Sequence, residues 1–426
     1  MRVDIGNALT TVADPGVPRR DLDALDDRVG TAHDRITDGI ADRSFGYAAL
    51  ALPDTADPAT IRATVADFEP VETVLVVGIG GSALGATTLC HALGDGTDVH
   101  VLDNIDPAHV GSVVAAVDLE HTVVHVVSRS GTTAETLANF LVVRDAFDEA
   151  GIDWTEHTLI TTREDGPLWR LATDHDIPTF DAPPGVPGRF AVLSTVALPA
   201  AAMAGVPIED VLAGAAQGRD SLAGSLFDSP AYAYGALCYA LDRRGAHINA
   251  VMPYAEALEP FAEWVAQLWA ESLGKDGTGQ TPVRALGVTD QHSQLQLYRA
   301  GPRDKLLTFI RPRDRPDVPI PETDLPELEY LSGRSLGDLM DAEFRATEAS
   351  LAAAGRPSIR VEVEALDPTS LGELLYGFEA ATVLAGELYD VETFTQPAVE
   401  WGKQATRDLL TGRDDPTTVG DSLPIE

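Results

Sequence analysis

From residue 71 onward the chain alternates unbroken apolar runs with segments of helical period. VETVLVVGIGG (71–81) is an apolar run ending in glycines, and SALGATTLCHAL (82–93) has the spacing of the helix that follows it. DVHVLD (98–103), HTVVHVVSRSGTT (121–133) and WTEHTLITT (154–162) repeat the first pattern, and AETLANFLVVRDAF (134–147) repeats the second. Strands this continuously apolar must be covered on both faces, which predicts a parallel sheet with helices on either side. A second alternation follows. INAVMPY (248–254), TPVRALGV (281–288), KLLTFIRP (305–312) and SIRVEVEAL (358–366) read as strands. LEPFAEWVAQLWAESLG (258–274), an acidic stretch over 324–354, and residues 369–388 read as helices. Between the two alternations lies a proline/glycine loop, DAPPGVPGRFA (181–191), followed by an alanine-rich helix.

The expected fold class is therefore α/β, with two doubly wound parallel-sheet domains carrying helices on both faces. Residues 1–70, polar and proline-punctuated, read as a largely helical extension packed on the core. The first domain is expected over 71–200, the second over 201–390, and a C-terminal segment over 391–426.

Charge changes the picture of the surroundings more than of the fold. The chain has 67 Asp and Glu against 30 Lys and Arg, a formal net charge of −37, with 44% hydrophobic residues and a mean hydropathy of −0.01. That apolar content supports cores and excludes disorder for most of the chain. So acidic a surface also disfavours nucleic acid as a partner. Only three of the basic residues are lysine (Lys275, Lys305 and Lys403). Acid distributed along the whole chain, with arginine as nearly the sole cation, fits adaptation to molar salt, where a Debye length of about 3 Å screens self-repulsion. Cys90 and Cys238, far apart in apolar contexts, fit buried thiols in a reducing cytosol. The N-terminus lacks the layout of a signal peptide, and the longest apolar stretch (196–208) is too short to cross a bilayer. A cytoplasmic protein without membrane partners is expected.

Six segments could carry chemistry. Gly78-Ile79-Gly80-Gly81-Ser82-Ala83-Leu84-Gly85 joins a strand to a helix, and its glycines let backbone N–H groups approach an anion. It nearly satisfies a dinucleotide fingerprint, with Asp103 ending the next strand, so a nicotinamide-binding reading competes. Ser128-Arg129-Ser130-Gly131-Thr132-Thr133 brings hydroxyls and a guanidinium to a helix start with no acid between them, which suits a phosphate monoester better than a pyrophosphate. A single N-cap would need one hydroxyl. Gly188-Arg189-Phe190 places an arginine at the domain junction, where it could neutralise a developing anion. Gln267 and Glu271 share a helix face, and the apolar setting of Glu271 among Trp269, Ala270 and Leu273 near the helix C-terminus suits a general base; a plain pairing with Lys275 at i+4 is the commoner case. His292, in Asp290-Gln291-His292-Ser293-Gln294, is crowded by side chains able to fix its tautomer. Gln396-Pro397-Ala398-Val399-Glu400-Trp401-Gly402-Lys403 puts a retained lysine on a late helix start. No clustered His/Glu spacing points to a metal.

In this order, GIGGSALG, SRSGTTAETL, PGRFAVLS, QLWAESLGK, DQHSQLQL and QPAVEWGK resemble the phosphoglucose isomerase family, over residues 71 to 403 or so. The resemblance implies two domains of the sugar-isomerase (SIS) type and isomerisation of glucose 6-phosphate to fructose 6-phosphate, with neither metal nor cofactor. It implies that Gly81, Ser82, Ser128, Arg129, Ser130 and Thr133 hold the sugar phosphate, with Gln267 and Gln396 also facing the substrate. Glu271 would move a proton between C2 and C1, Arg189 would steady a cis-enediolate, and His292 and Lys403 would assist ring opening. His292 would come from the neighbouring subunit, which implies a homodimer. The chain departs from the family pattern at Arg129, where lysine is common, at Ala191, where a hydroxyl residue is usual, and at Ala398, which replaces a glycine. Two rivals stand beside this reading: a nicotinamide-dependent dehydrogenase, which leaves the 128–133 loop unexplained, and a non-catalytic phosphosugar sensor, which has no use for Glu271.

Overall fold

A computed structural model describes residues 1–413 and 425. Of the expected C-terminal segment, residues 414–424 and 426 lie outside the described residues. The N-terminal segment contributes β1 (Arg2–Asp4) and helix α1 (Arg19–Ala41). The first alternation then gives β2 (Thr73–Val77), α2 (Leu84–Leu93), β3 (Asp98–Leu102), β4 (Thr122–Val127), α3 (Ala134–Ala150), β5 (Thr158–Thr162) and β6 (Thr179–Asp181). These strands form a sheet of order β3-β2-β4-β5-β6, parallel throughout. Every residue of β2, β4 and β5 is buried, which is why these runs lack alternation.

Two helices, α4 (Ile208–Asp220) and α5 (Pro230–Asp242), lead into the second alternation. It consists of β7 (Ile248–Pro253), α6 (Glu259–Leu273), β8 (Thr281–Arg284), β9 (Lys305–Pro312), α7 (Leu336–Ala353), β10 (Ser358–Val363), α8 (Pro368–Tyr389) and α9 (Pro397–Thr411). The sheet order is β1-β10-β9-β7-β8, with β7 to β10 parallel and β1 antiparallel at the edge. The molecule is thus α/β, with two parallel-sheet units and helices packed on them.

Several elements differ from the sequence pattern. The acidic stretch is not helical from 324: a 3-10 turn spans Pro326–Leu331, and α7 begins only after Ser335. There a reciprocal capping box forms, Asp338 N donating to Ser335 Oγ at 3.0 Å and Ser335 N to Asp338 Oδ2 at 3.2 Å. Within TPVRALGV only Thr281–Arg284 is strand, and β6 ends at Asp181, the first residue of the expected loop. Three-residue strands such as β1 and β6 carry too few positions to show a period; β1 exists because the edge of β10 is there to receive it.

Helix α8 is apolar on nearly all sides and is buried along most of its length, as a central core helix must be. It crosses α4 so closely that a Cβ on Gly214 would fall 1.8 Å from Thr369 O, and one on Gly372 1.9 Å from Val211 O. One residue on α8 opposes this packing. Glu379 is 0% exposed and neither carboxyl oxygen has a partner among the described residues. Burial holds this carboxyl well above its ordinary pKa, so the folded chain keeps a proton that the unfolded chain releases above about pH 4.3. With the folded value raised, stability falls as pH climbs from the unfolded value toward the folded one. Glu379→Gln is therefore expected to raise the thermal midpoint relative to the parent at pH 8, and by less at pH 5. Equal differences at the two pH values would show that Glu379 is not protonated in the fold.

Candidate active site

The strand order of the first sheet reverses direction between β2 and β4, so the loops after these two strands sit side by side at the carboxyl end of the sheet. The first, Gly80–Ser82, is a single 3-10 turn leading to α2. The second, 128–133, opens α3. Thr133 stands at the N-cap position, but its side chain caps nothing in the helix. Its hydroxyl instead accepts from Ser128 Oγ at 3.0 Å, and Ser130 Oγ accepts from Thr132 N at 3.2 Å and Thr132 Oγ1 at 3.0 Å. The first-turn N–H groups of a long helix are thus left without a side-chain cap beside several hydroxyls, an arrangement suited to an anion. Arg129 is anchored by Nη1 donating to Val186 O at 2.7 Å, and burial together with the nearby Arg163 charge lowers its pKa.

The junction segment brings a third 3-10 turn, Gly188–Phe190, against the first loop. A Cβ on Gly81 would lie 2.3 Å from the carbonyl carbon of Gly188 and 2.5 Å from Arg189 N. Gly80, at φ +58°, would place one 2.7 Å from Gln267 Nε2. Gly81 is therefore required by the approach of another backbone segment and Gly80 by its positive φ, in addition to leaving backbone bare. The motif thus serves packing as well as exposing backbone.

Arg189 is 2% exposed and reaches from the junction into the second half of the molecule. Its Nε donates to Ser272 Oγ at 2.8 Å and its Nη1 to Glu271 Oε2 at 3.3 Å and Gln396 Oε1 at 2.9 Å. Its Nη2 donates to Thr393 O at 2.7 Å and Thr395 O at 3.5 Å. Burial lowers the guanidinium pKa while the Glu271 carboxylate raises it. Glu271, its side chain 28% exposed, takes a second hydrogen bond at Oε1 from Gln267 Nε2 at 3.0 Å, the i, i+4 pair on α6.

The expected apolar setting of Glu271 is not what forms. Trp269 and Leu273 are buried in the core, and the carboxylate lies in a clasp of Arg189 and Gln267. Lys275 does not pair with that carboxylate either. Its Nζ donates to Glu271 O at 2.8 Å and Ser272 O at 2.6 Å, neutralising the carbonyl end of α6. Burial first, then the Arg189 charge, brings Lys275 down to about 8.

Two expected residues are not brought to this cluster within one chain. Lys403 lies on α9, its side chain 57% exposed and its Nζ 2.9 Å from Glu400 Oε1. His292 is exposed on the short helix Thr289–Ser293. Its neighbours do not hold its ring as anticipated. Asp290 accepts from Leu286 N at 2.8 Å and Ser293 Oγ at 2.6 Å, while Gln291 pairs with Tyr254 and with Glu343 at 3.0 Å. Ser272 and the carbonyls of Thr393 and Thr395 were missed from sequence. Ser272 carried a signal in its place beside Glu271; a carbonyl acceptor carries none.

Two parallel sheets, a glycine and hydroxyl loop pair at one switch point and a carboxylate–guanidinium pair at the junction define the class, an α/β protein of the sugar-isomerase type. Comparison with known proteins narrows it. The family model described as phosphoglucose isomerase matches residues 62–298. A Halobacterium salinarum protein named "Probable glucose-6-phosphate isomerase" is 66% identical, over 97% of each chain. A hypothetical protein of Thermus thermophilus has a solved structure that superposes with a TM-score of 0.87 at 33% identity, covering 96% of this chain and 100% of its own. The solved glucose-6-phosphate isomerase of Chlamydia trachomatis shares the fold at a TM-score of 0.82 and 22% identity, covering 93% of this chain and 86% of its own. The chain belongs to the phosphoglucose isomerase family.

The glycine contacts give a direct test. Gly81→Ala forces a methyl into the Gly188–Arg189 backbone and is expected to destabilise the fold by about 1–3 kcal/mol. Gly188→Ala meets nothing within 4 Å and serves as control. Urea unfolding in molar salt should separate the two; equal midpoints would mean the loops do not interlock.

Proposed function

We propose that this chain interconverts glucose 6-phosphate and fructose 6-phosphate, with Glu271 as the proton-transferring base. The observation that carries the reading is the Glu271 carboxylate, partly exposed, held between Gln267 Nε2 at 3.0 Å and Arg189 Nη1 at 3.3 Å beside an acid-free hydroxyl loop. The phosphate binds at Ser82, Ser128, Ser130 and Thr133 with the Gly81 backbone and Arg129, and its binding energy sets the C1–C2 edge of the open-chain sugar against Glu271. A Glu271 oxygen removes the proton on C2. The C2–H electron pair becomes the C1–C2 double bond, and the carbonyl π pair moves to O1. Arg189 stabilises the resulting cis-enediolate. A proton passes from O2 to O1, the O2 lone pair then forms the C2 carbonyl, and the double-bond pair takes the proton back from Glu271 at C1, so the step balances with no oxidant. Gln267 fixes the carboxylate, and Gln396 fixes Arg189 toward the substrate.

Ring opening falls to His292 and Lys403. Their positions away from Glu271 support a homodimer in which His292 is supplied across the interface. Many apolar side chains of α9 and of the 318–339 excursion, Trp401 and Tyr330 among them, are exposed in the single chain, which fits their being covered by a second copy. Two free, buried cysteines support a cytoplasmic setting, and the reaction belongs to glycolysis and gluconeogenesis.

Glu271→Gln keeps the side chain's size and one acceptor oxygen and removes the base, so kcat is expected to fall on the order of 10²–10⁴-fold with unchanged circular dichroism. A coupled assay of fructose 6-phosphate consumption in molar salt reads this, and near-parental turnover would refute the role. Subunit mixing tests the interface. Glu271→Gln and His292→Leu chains, each inactive alone, should regain roughly a quarter of parental activity after dissociation and reassembly, since half the dimers then hold one intact site. No recovery would place His292 in its own chain's site.

A further inference from the structure

Arg189 is oriented largely by the irregular loop 391–396, which supplies Gln396 Oε1 and the carbonyls of Thr393 and Thr395. Within one chain nothing downstream anchors that loop, because α9 has no buried residue. Its anchor is Phe394, whose ring sits edge-on between two others. The ring centroid of Phe190 lies 5.5 Å away at 63°, and that of Tyr47 4.9 Å away at 70°. Tyr47 belongs to the N-terminal segment. Its ring lies over Gly39 of α1, where a Cβ would come within 2.5 Å of Cγ, and its hydroxyl donates to Glu387, whose other oxygen accepts from Arg35 Nε at 2.6 Å. Gly46, at φ +87°, lets the backbone pass directly over Phe394, since a Cβ there would lie 2.0 Å from the ring.

We propose that Tyr47 and Phe394 are positioning residues, an aromatic relay through which the N-terminal segment holds the 391–396 loop and so aims the Arg189 guanidinium at the reacting edge of the substrate. Edge-to-face pairs contribute beyond their buried area and, unlike aliphatic packing, fix ring orientation. The hydroxyls of the 128–133 loop, by contrast, hold one another at the end of the first sheet and do not hydrogen-bond to Tyr47 or Phe394 among the described residues. Loss of the relay should therefore weaken recognition of the enediolate and spare recognition of the phosphate. The proposal rests on the reading of Arg189 as the partner of the enediolate.

The test compares two inhibitors: a planar phosphorylated hydroxamate, which mimics the enediolate, and an open-chain polyol phosphate, which carries the phosphate but no developing anion. In Tyr47→Ala, kcat and hydroxamate affinity should both fall on the order of ten- to a hundredfold, with KM and polyol phosphate affinity unchanged. Tyr47→Phe, which keeps the ring, should recover most of the loss. Phe394→Leu fills the same space without an aromatic edge and should show the same selective loss, which keeps the test open if Tyr47→Ala does not fold. Parallel losses for both inhibitors, or unaltered hydroxamate affinity, would overturn the relay. Arg189→Lys, measured alongside, isolates the underlying reading: parental hydroxamate affinity in that variant would refute the enediolate role itself, whatever the Tyr47 variants do.

Discussion

A guanidinium removed from water must find a partner for each donor, because an unpaired buried charge costs several kcal/mol. Arg189 meets this demand with a carboxylate, a hydroxyl, an amide oxygen and two carbonyls. Those partners lie on α6 and on the 391–396 loop, from 82 to 207 residues away in sequence. Satisfying one side chain therefore brings the junction segment, helix α6 and the 391–396 loop to a common point. Gly80 and Gly81 lie beside this point, where the Gln267 side chain and the Gly188–Arg189 backbone approach the first loop.

The same clasp shapes the chemistry. Glu271 between Gln267 and Arg189 is held in one orientation with part of its surface open to a ligand. In the proposed mechanism, an arginine whose hydrogen bonds are already fixed meets an anion forming nearby without reorganising, which is where electrostatic stabilisation is most effective. Lys275 adds a positive charge at the end of α6 while spending its donors on carbonyls, so the site holds a local excess of cations.

This local balance separates the site from the surface. The chain carries a net charge of −37, yet the 78–85 and 128–133 loops contain no acid. The acidity belongs to the solvated exterior and fits the salt-adapted setting of relatives such as the halophilic Halobacterium salinarum protein. The three lysines differ in kind. Lys275 caps a helix, Lys305 is buried at the start of β9 beside Asp304, and Lys403 is exposed next to Glu400. For the first two, a compact ammonium suits a confined place that a planar guanidinium would overfill; within a single chain, nothing in the structure explains the third.

Much of this was legible in the chain itself. Period-two and unbroken apolar runs marked the longer strands, and glycine and hydroxyl clusters at strand ends marked the loops, because these signals come from turns and from burial of neighbouring residues. Arg189, Glu271, Gln267 and Gln396 could be named as candidates by residue type and by family resemblance. Their mutual contacts could not be read, nor could Ser272 and the Thr393 carbonyl as partners, the short strands β1 and β6, the capped start of α7, or the polar clasp where an apolar pocket around Glu271 was expected. The sequence by itself determined the longer strands and helices and which groups are available. Only the tertiary structure decided which of them meet, because contacts across 82 to 207 residues arise from packing of whole helices and sheets and leave no local period in the chain.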